Sequence, residues 1–345
     1  MAKIKVSDSG KTYELIQKLG AGTYGTTWMA AQHSEGGKDK KVAVKVFSRP
    51  GKLDQDKIED IEEDWTVEIN ALKKVLSKCS PHAVCIKDYW FGKDGAYIVM
   101  DFVRGESLKK QIVGGSKGIS LSKRKNDHTL LKNLISGIEA IHSQGVAHQD
   151  IKGDNIMYDY DYNDGYYRYI DFGLSCVKKS NMVEKSRENF PCGTIGTRYT
   201  SPKEIVQTKG KKVVLDWKIL EAHDYWSIGI MLLRWYTFDG SPYYYINVIN
   251  DFVDTDKQAD KLANTTNSYG VFPYYYNFPK EMLDCEIGKI KEPSARVIVG
   301  LLLEQDPMKR WNNFKTVKYI LDPEAKLADG DWGVVKDSIE KLRLF

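Results

Sequence analysis

No apolar run in this 345-residue chain approaches the roughly 20 residues that cross a bilayer. Its start, Met1-Ala2-Lys3-Ile4-Lys5-Val6, has no apolar signal-peptide core. A membrane-spanning or exported protein is therefore not expected. Cysteine is scarce. The five residues, at 79, 85, 176, 192 and 285, are odd in number and scattered. They do not form a disulfide framework, which points to a reducing, intracellular setting, cytoplasmic with the nucleus as the alternative. Cys79, His82 and Cys85 stand three apart. No second half-site completes the four ligands that zinc wants, so they read as a loop before a strand. Net charge is also small. Fifty-one basic against 47 acidic residues leave +4, which gives no reason to expect nucleic acid and only a mild preference for anionic partners.

Hydrophobic content of 42% and charged content of 28% are ordinary for a globular protein. The length suffices for one large domain or two lobes. Tyr13–Gln17 and Thr26–Ala30 read as strands around a glycine-rich turn. Val42–Phe47 is a short apolar strand that ends a hairpin with a Gly- and Lys-rich tip, Ser34 to Lys41. From residue 54 to 78 the spacing becomes helical, with Ile58, Ile61, Trp65, Ile69, Leu72 and Val75 at steps of three and four. Strands follow near Cys85–Phe91 and Ala96–Phe102. Beyond residue 104 the pattern is mainly helical, with buried helices over Leu130–Ile141, Trp226–Tyr236 and Ala295–Leu303. A small strand-rich half before a larger helical half is an α+β, two-lobed plan.

The chemistry is concentrated in one string, His148-Gln149-Asp150-Ile151-Lys152-Gly153-Asp154-Asn155, followed at Asp171-Phe172-Gly173. It sets two carboxylates, an ammonium and a carboxamide where phosphoryl transfer from a metal–nucleotide needs them. Gly20-Ala21-Gly22-Thr23-Tyr24-Gly25 is a G-x-G-x-x-G loop. Dinucleotide-binding folds carry the same spacing, but there a helix follows, whereas here a strand does. A glycine loop between strands can fold over phosphates. Alone it is equally a plain hairpin turn. Lys45, at the end of Val42-Ala43-Val44-Lys45, is by itself an ordinary strand lysine. Glu68 on the following helix offers it a partner, while Glu62, Glu63 and Asp64 read as a solvated face.

Taken in order, these blocks resemble the eukaryotic-type protein kinases of the Ser/Thr kind, over about residues 13–322. Gly196-Thr197-Arg198-Tyr199-Thr200-Ser201-Pro202 resembles the end of the family's activation segment. Asp224-Tyr225-Trp226-Ser227-Ile228-Gly229 and Asp306-Pro307-Met308-Lys309-Arg310 resemble two later landmarks. The resemblance implies an N-lobe over 13–103 and a C-lobe over 104–322, and residues 323–345 read as a short helical tail. It implies ATP with Mg²⁺ (Mn²⁺ as a substitute) and a protein substrate with a Ser/Thr acceptor. Asp150 would orient the substrate hydroxyl, with Thr197 bridging it to Lys152, and Lys152 would neutralise the transferred phosphoryl group. Asn155 and Asp171 would ligate the metal. Lys45, oriented by Glu68, would hold nucleotide phosphates. Leu19, Gly20, Ala21, Gly22, Thr23, Tyr24, Gly25, Thr27, Ala43, Met100, Asp101, Phe102, Val103 and Met157 would surround the nucleotide. Leu72, His148 and Phe172 would belong to an internal hydrophobic spine, which makes His148 structural.

The pattern also breaks in places. Gln149 stands where many relatives carry an Arg that pairs with a phosphorylated activation loop. A neutral amide cannot form that charge-assisted pair, so activity independent of loop phosphorylation is expected. Thr27 replaces a valine over the adenine. At 199–205 the expected Ala-Pro-Glu is irregular, and Glu204, paired with Arg310, is taken as the glutamate. Lys209-Gly210-Lys211-Lys212 reads as a solvated basic loop or a docking site for acidic partners. Ser175, Ser180, Ser186 and Thr194 are offered as autophosphorylation sites. Two alternatives stay open: a pseudokinase scaffold that binds without chemistry, and a small-molecule kinase of related fold.

Overall fold

A computed structural model describes residues 3–22, 25–33, 37–47, 55–75, 81–92, 95–113, 119–124, 128–161, 165–179, 182–183, 192, 197, 199–208, 215–239, 275 and 278–322. Outside them lie Thr23, Tyr24, Cys79, Ser180, Ser186, Thr194, Gly196, Arg198, the 209–212 loop, the hairpin tip at 34–36 and the 323–345 tail, as does the side chain of Ile58.

The first half is an antiparallel sheet of six strands, β1 (Lys3–Val6), β2 (Thr12–Gly22), β3 (Gly25–Gln32), β4 (Lys40–Val46), β5 (Ile86–Gly92) and β6 (Gly95–Asp101). They lie side by side in the order β1-β2-β3-β4-β6-β5. Strand β1 precedes the segment at which the sequence resemblance begins. It pairs with β2, Lys3 opposite Leu15. The sheet is curled enough for its two edges to meet. Ser9 and Tyr13, near one edge, donate to the Asp88 carboxylate on β5 at the other, at 2.8 and 2.9 Å. Tyr13, Trp90 and Tyr97 stack across the gap, with ring centroids 5.8 and 4.5 Å apart.

Strand alternation sorts the β4 side chains. Val42, Val44 and Val46 enter a core with Tyr13, Leu15, Trp90, Tyr97 and Val99. Ala43 and Lys45 therefore face the opposite side, toward the helix α1 (Gln55–Val75). On α1 the apolar stripe of Ile61, Ile69, Leu72 and Val75 is buried. Glu68 falls on the same stripe, one turn before Leu72, so the helix carries a carboxylate into the interior.

The second half is mainly helical: α2 (Leu108–Val113), α3 (Leu121–Arg124), α4 (Thr129–Ser143), α5 (Lys203–Val206), α6 (Trp217–Thr237), α7 (Lys280–Gly288), α8 (Pro293–Leu302) and α9 (Pro307–Leu321). Two small sheets sit among them. One joins β7 (Gly105–Ser107), β9 (Ile156–Asp159) and β10 (Tyr166–Tyr169). The other joins β8 (Val146–Ala147), β11 (Cys176–Lys179) and β12 (Met182–Val183).

Helix α6 is mainly apolar and buried from Ala222 to Thr237, as a central helix must be, with His223, Asp224 and Arg234 among its buried residues. Asp216 caps its start by accepting from Lys218 N at 2.8 Å. Arg124 closes its end, donating to the carbonyls of Arg234, Trp235 and Phe238. The Asp-Pro-x-x-Arg string proves to be a helix start. Asp306 accepts from Met308 N and Lys309 N at 2.9 Å, and Pro307 takes the first helical position, where no backbone N–H is needed. Arg310 then lies one turn inside α9.

The cysteines correct the sequence reading. Cys176 and Cys192 are disulfide-bonded, with Cα atoms 5.6 Å apart. Cys85 is also disulfide-bonded, and Cys285 is free. Scattered spacing hid the Cys176–Cys192 pairing, which the fold brings together. No helix among the described residues is long and apolar enough to cross a membrane.

Candidate functional site

The cleft between the two halves collects the residues singled out in the sequence. Lys45, 6% exposed, donates to Glu68 Oε2 at 2.5 Å and to Asp171 Oδ1 at 2.7 Å. Burial alone would lower its pKa, but the two carboxylates raise it above its ordinary range, so it stays an ammonium. Burial would raise Asp171, and the Lys45 charge holds it below the usual carboxylate range instead. Glu68 lies deepest. Burial raises it to about 7 in spite of Lys45. Glycine at 173 leaves this trio room. A Cβ there would sit 3.3 Å from both Asp171 Oδ1 and Glu68 Oε2.

The second cluster surrounds Asp150, which is 6% exposed. Thr197 Oγ1 donates to its Oδ1 at 2.6 Å, and Lys152 Nζ and Asn155 Nδ2 donate to its Oδ2 at 2.7 and 2.9 Å. Lys152 also donates to Thr197 Oγ1 at 3.2 Å, so the threonine spans the acid and the lysine. Two carboxylate oxygens have about four lone-pair sites, and three donors leave one for an incoming hydroxyl. Asn155 gives its NH₂ to the Asp150 carbonyl as well, at 2.9 Å, which leaves its own oxygen as a ligand. That oxygen and the partly exposed Asp171 carboxylate make a hard oxygen set suited to Mg²⁺. The donor set therefore fits the metal expected from the sequence.

The catalytic loop hangs from α6. Asp224, wholly buried, accepts from His148 N at 2.7 Å, Gln149 N at 2.8 Å and His142 Nε2 at 2.9 Å. His148 is enclosed. Its Nε2–H donates to the Ile170 carbonyl at 3.2 Å, its Nδ1 accepts from Asp150 N at 3.4 Å, and its ring lies 4.9 Å from that of Phe172. With Leu72 and Phe172 fully buried too, His148 is a structural group. Arg310, also fully buried, is paired with Glu204 and donates to the Ala222 carbonyl at 2.8 Å.

Around the nucleotide side, Leu19, Gly20, Ala21 and Gly22 are exposed on the strand that enters the glycine turn. Gly20 pairs with Thr27, Gly22 with Gly25, Thr27 with Lys45 and Ala43 with Met100. Met100 and Val103 are buried, while Phe102 and Met157 are partly so. The Asp101 side chain turns away from the cleft. It accepts from Cys85 N at 3.1 Å, Lys87 at 2.8 Å and Arg168 at 3.2 Å, leaving only backbone to face a nucleotide. Sequence reasoning missed this anchor, because Arg168 is remote in the chain. Ser175 is a correction. It is 1% exposed and donates to the His148 carbonyl, so its hydroxyl is closed to phosphorylation in this conformation.

A buried lysine held by two acids lies beside an acid held by Lys, Asn and Thr, an arrangement suited to phosphoryl transfer. The sequence model of one family, described as "Protein kinase domain", matches residues 13–320, and the chain belongs to that family. It is thus a kinase, an ATP-binding transferase. Among similar proteins, serine/threonine-protein kinase 10 of Xenopus tropicalis is 25% identical over 327 residues, 93% of this chain but 30% of that protein. Calcium/calmodulin-dependent protein kinase type 1B of Rattus norvegicus is 25% identical over 342 residues, 99% of this chain and 84% of that protein. Serine/threonine-protein kinase cds1 of Schizosaccharomyces pombe is 30% identical over 230 residues, 67% of this chain and 45% of that protein. The chain thus spans under a third of the first relative and most of the second.

Proposed function

We propose that the protein transfers the γ-phosphoryl group of Mg·ATP to serine or threonine hydroxyls of other proteins, through the domain at 13–322 with its lobes divided after Val103. The observation that carries this reading is the Asp150 carboxylate fixed by Thr197, Lys152 and Asn155. Asp150 accepts the hydroxyl proton as the substrate oxygen bonds to phosphorus and the bond to the β-phosphate oxygen breaks. Lys152 offsets the charge gathering on the transferred group. Lys45 holds the nucleotide phosphates, oriented by Glu68, with Asn155 and Asp171 as metal ligands. The Gly20–Gly25 turn, Leu19, Thr27, Ala43, Met157 and the Met100–Val103 backbone enclose the nucleotide. Lysine two residues after the acid, and relatives named as serine/threonine kinases, support that acceptor class. An intracellular compartment goes with the reading, since ATP is an intracellular substrate. The intact set of Lys45, Glu68, Asp150, Lys152, Asn155 and Asp171 gives a scaffold-only reading no support.

The test is transfer of labelled phosphate from Mg·ATP to a mixed Ser/Thr/Tyr peptide library. Asp150→Asn should slow transfer by about 10²–10⁴. Label on tyrosine alone, or no transfer by a protein that still binds ATP, would overturn the proposal.

A further inference from the structure

Gln149 is the residue just before the acid, and its backbone is in the left-handed region, at φ 64°. A non-glycine residue is strained in that conformation, so something must hold it. Part of the hold is the Asp224 contact to its backbone N–H. The rest is in its side chain, which is wholly buried and fully engaged. Its Nε2 donates to the Leu220 carbonyl at 2.8 Å and reaches Asp224 Oδ1 at 3.3 Å. Its Oε1 lies 3.0 Å from His223 Nδ1. Because the amide nitrogen faces two acceptors, the oxygen faces His223, and His223 must carry its proton on Nδ1. The imidazole is 1% exposed and comes from the middle of α6, the most enclosed helix of the fold. The loop's special backbone turn is therefore tied to a rigid helix by two neutral side chains.

We propose that His223 is a positioning residue for catalysis, which acts through Gln149 to fix the direction of Asp150. This rests on the phosphotransfer reading above and supplies the regulation of that site. The lock on the catalytic loop is built from the chain's own Gln149, His223 and Asp224 and needs no added phosphate. It follows that the loop is set in the newly made protein.

The experiment is peptide phosphorylation by the full chain and three variants, His223→Leu, Gln149→Met and their double, with His223→Asn as the conservative replacement. Asparagine can offer its NH₂ about where Nδ1–H stood. The expected result is a kcat loss of about tenfold or more in either single variant with KM for ATP unchanged, a double no worse than the singles, and recovery of most of the rate in His223→Asn. The proposal is overturned if a folded His223→Leu keeps kcat within about twofold, or if the two losses simply multiply in the double. If His223→Leu does not fold, Gln149→Met and His223→Asn decide alone. An unchanged kcat in Gln149→Met, or a His223→Asn as slow as Gln149→Met, overturns it. A wild-type protein that phosphorylates nothing sinks the phosphotransfer reading instead, and so the two failures are distinguishable.

Discussion

Protonation of His223 should weaken the fold, by an amount that can be worked out. Burial lowers its pKa from 6.5 to about 4; Asp224 opposes the shift and Arg310 adds to it. Between those two values the unfolded chain binds a proton that the native protein refuses. Stability therefore rises with pH across that window and is lost as pH falls from 6.5 to about 4. The gap of about 2.5 units, at 1.36 kcal/mol per unit, is about 3 kcal/mol. That is a large share of a typical folding free energy. The wild-type curve alone would mislead, because Glu68 acts with the opposite sign. Its native pKa is raised from 4.5 to about 7, so its contribution falls as pH rises through that range. The two slopes overlap and largely cancel. The difference between wild type and His223→Asn removes everything but the histidine. Urea unfolding of both proteins, followed at closely spaced pH between about 4 and 7, should show their stability gap shifting by about 3 kcal/mol. Parallel curves would mean that His223 takes up its proton at the same pH in the fold as in the unfolded chain, and that burial does not keep its bond to Gln149 neutral.

Gly25 has φ +146°, and a Cβ there would meet the Val46 carbonyl oxygen at 2.4 Å. Gly25→Ala should distort the phosphate turn at a cost of about 1–3 kcal/mol and raise the ATP KM roughly tenfold, read from initial rates. Arg310→Met would leave Glu204 without its buried partner and cost about 3–5 kcal/mol in a urea titration, where a loss under about 1 kcal/mol would refute the pairing's importance. Phosphatase treatment of the purified protein should change its rate by less than about tenfold, because Gln149 has no charge to offer a phosphate and its amide is already used.

The catalytic string was legible because each member is a residue type with few substitutes. Only a carboxylate can sit between Thr197, Lys152 and Asn155 and still take a proton. Period also worked. Three-to-four spacing in Ile61–Val75 offered Glu68 as a partner for Lys45, and the two are hydrogen-bonded. What stayed hidden depends on pairs distant in sequence. Strand β1 is too short to show a period, and its place is fixed by Leu15 and Glu14 opposite. Cys176 and Cys192, 16 residues apart, meet in a small buried cluster with Ala147 and Leu220. Ser175 looked available on composition and is closed by its bond to the His148 carbonyl.

The contacts that hold the Asp150 loop and Arg310 share one helix, α6. Asp224 holds the backbone of His148 and Gln149, His223 holds the Gln149 amide, and the Leu220 carbonyl takes its NH₂. The Ala222 carbonyl, one residue earlier, takes Arg310 and through it Glu204. Arg124 seals the helix's far end on three carbonyls. The Glu204–Arg310 pair and the loop that carries Asp150 thus hang on the 220–224 turn of α6, and neither can move without breaking buried hydrogen bonds there. A buried polar group left without its partner costs about 1–3 kcal/mol, so loosening both sides together would require several such losses at once. An enzyme so built gains little from a switch at the catalytic loop. Any control of its rate should act where the chain can move more freely, on nucleotide entry or on the approach of the acceptor.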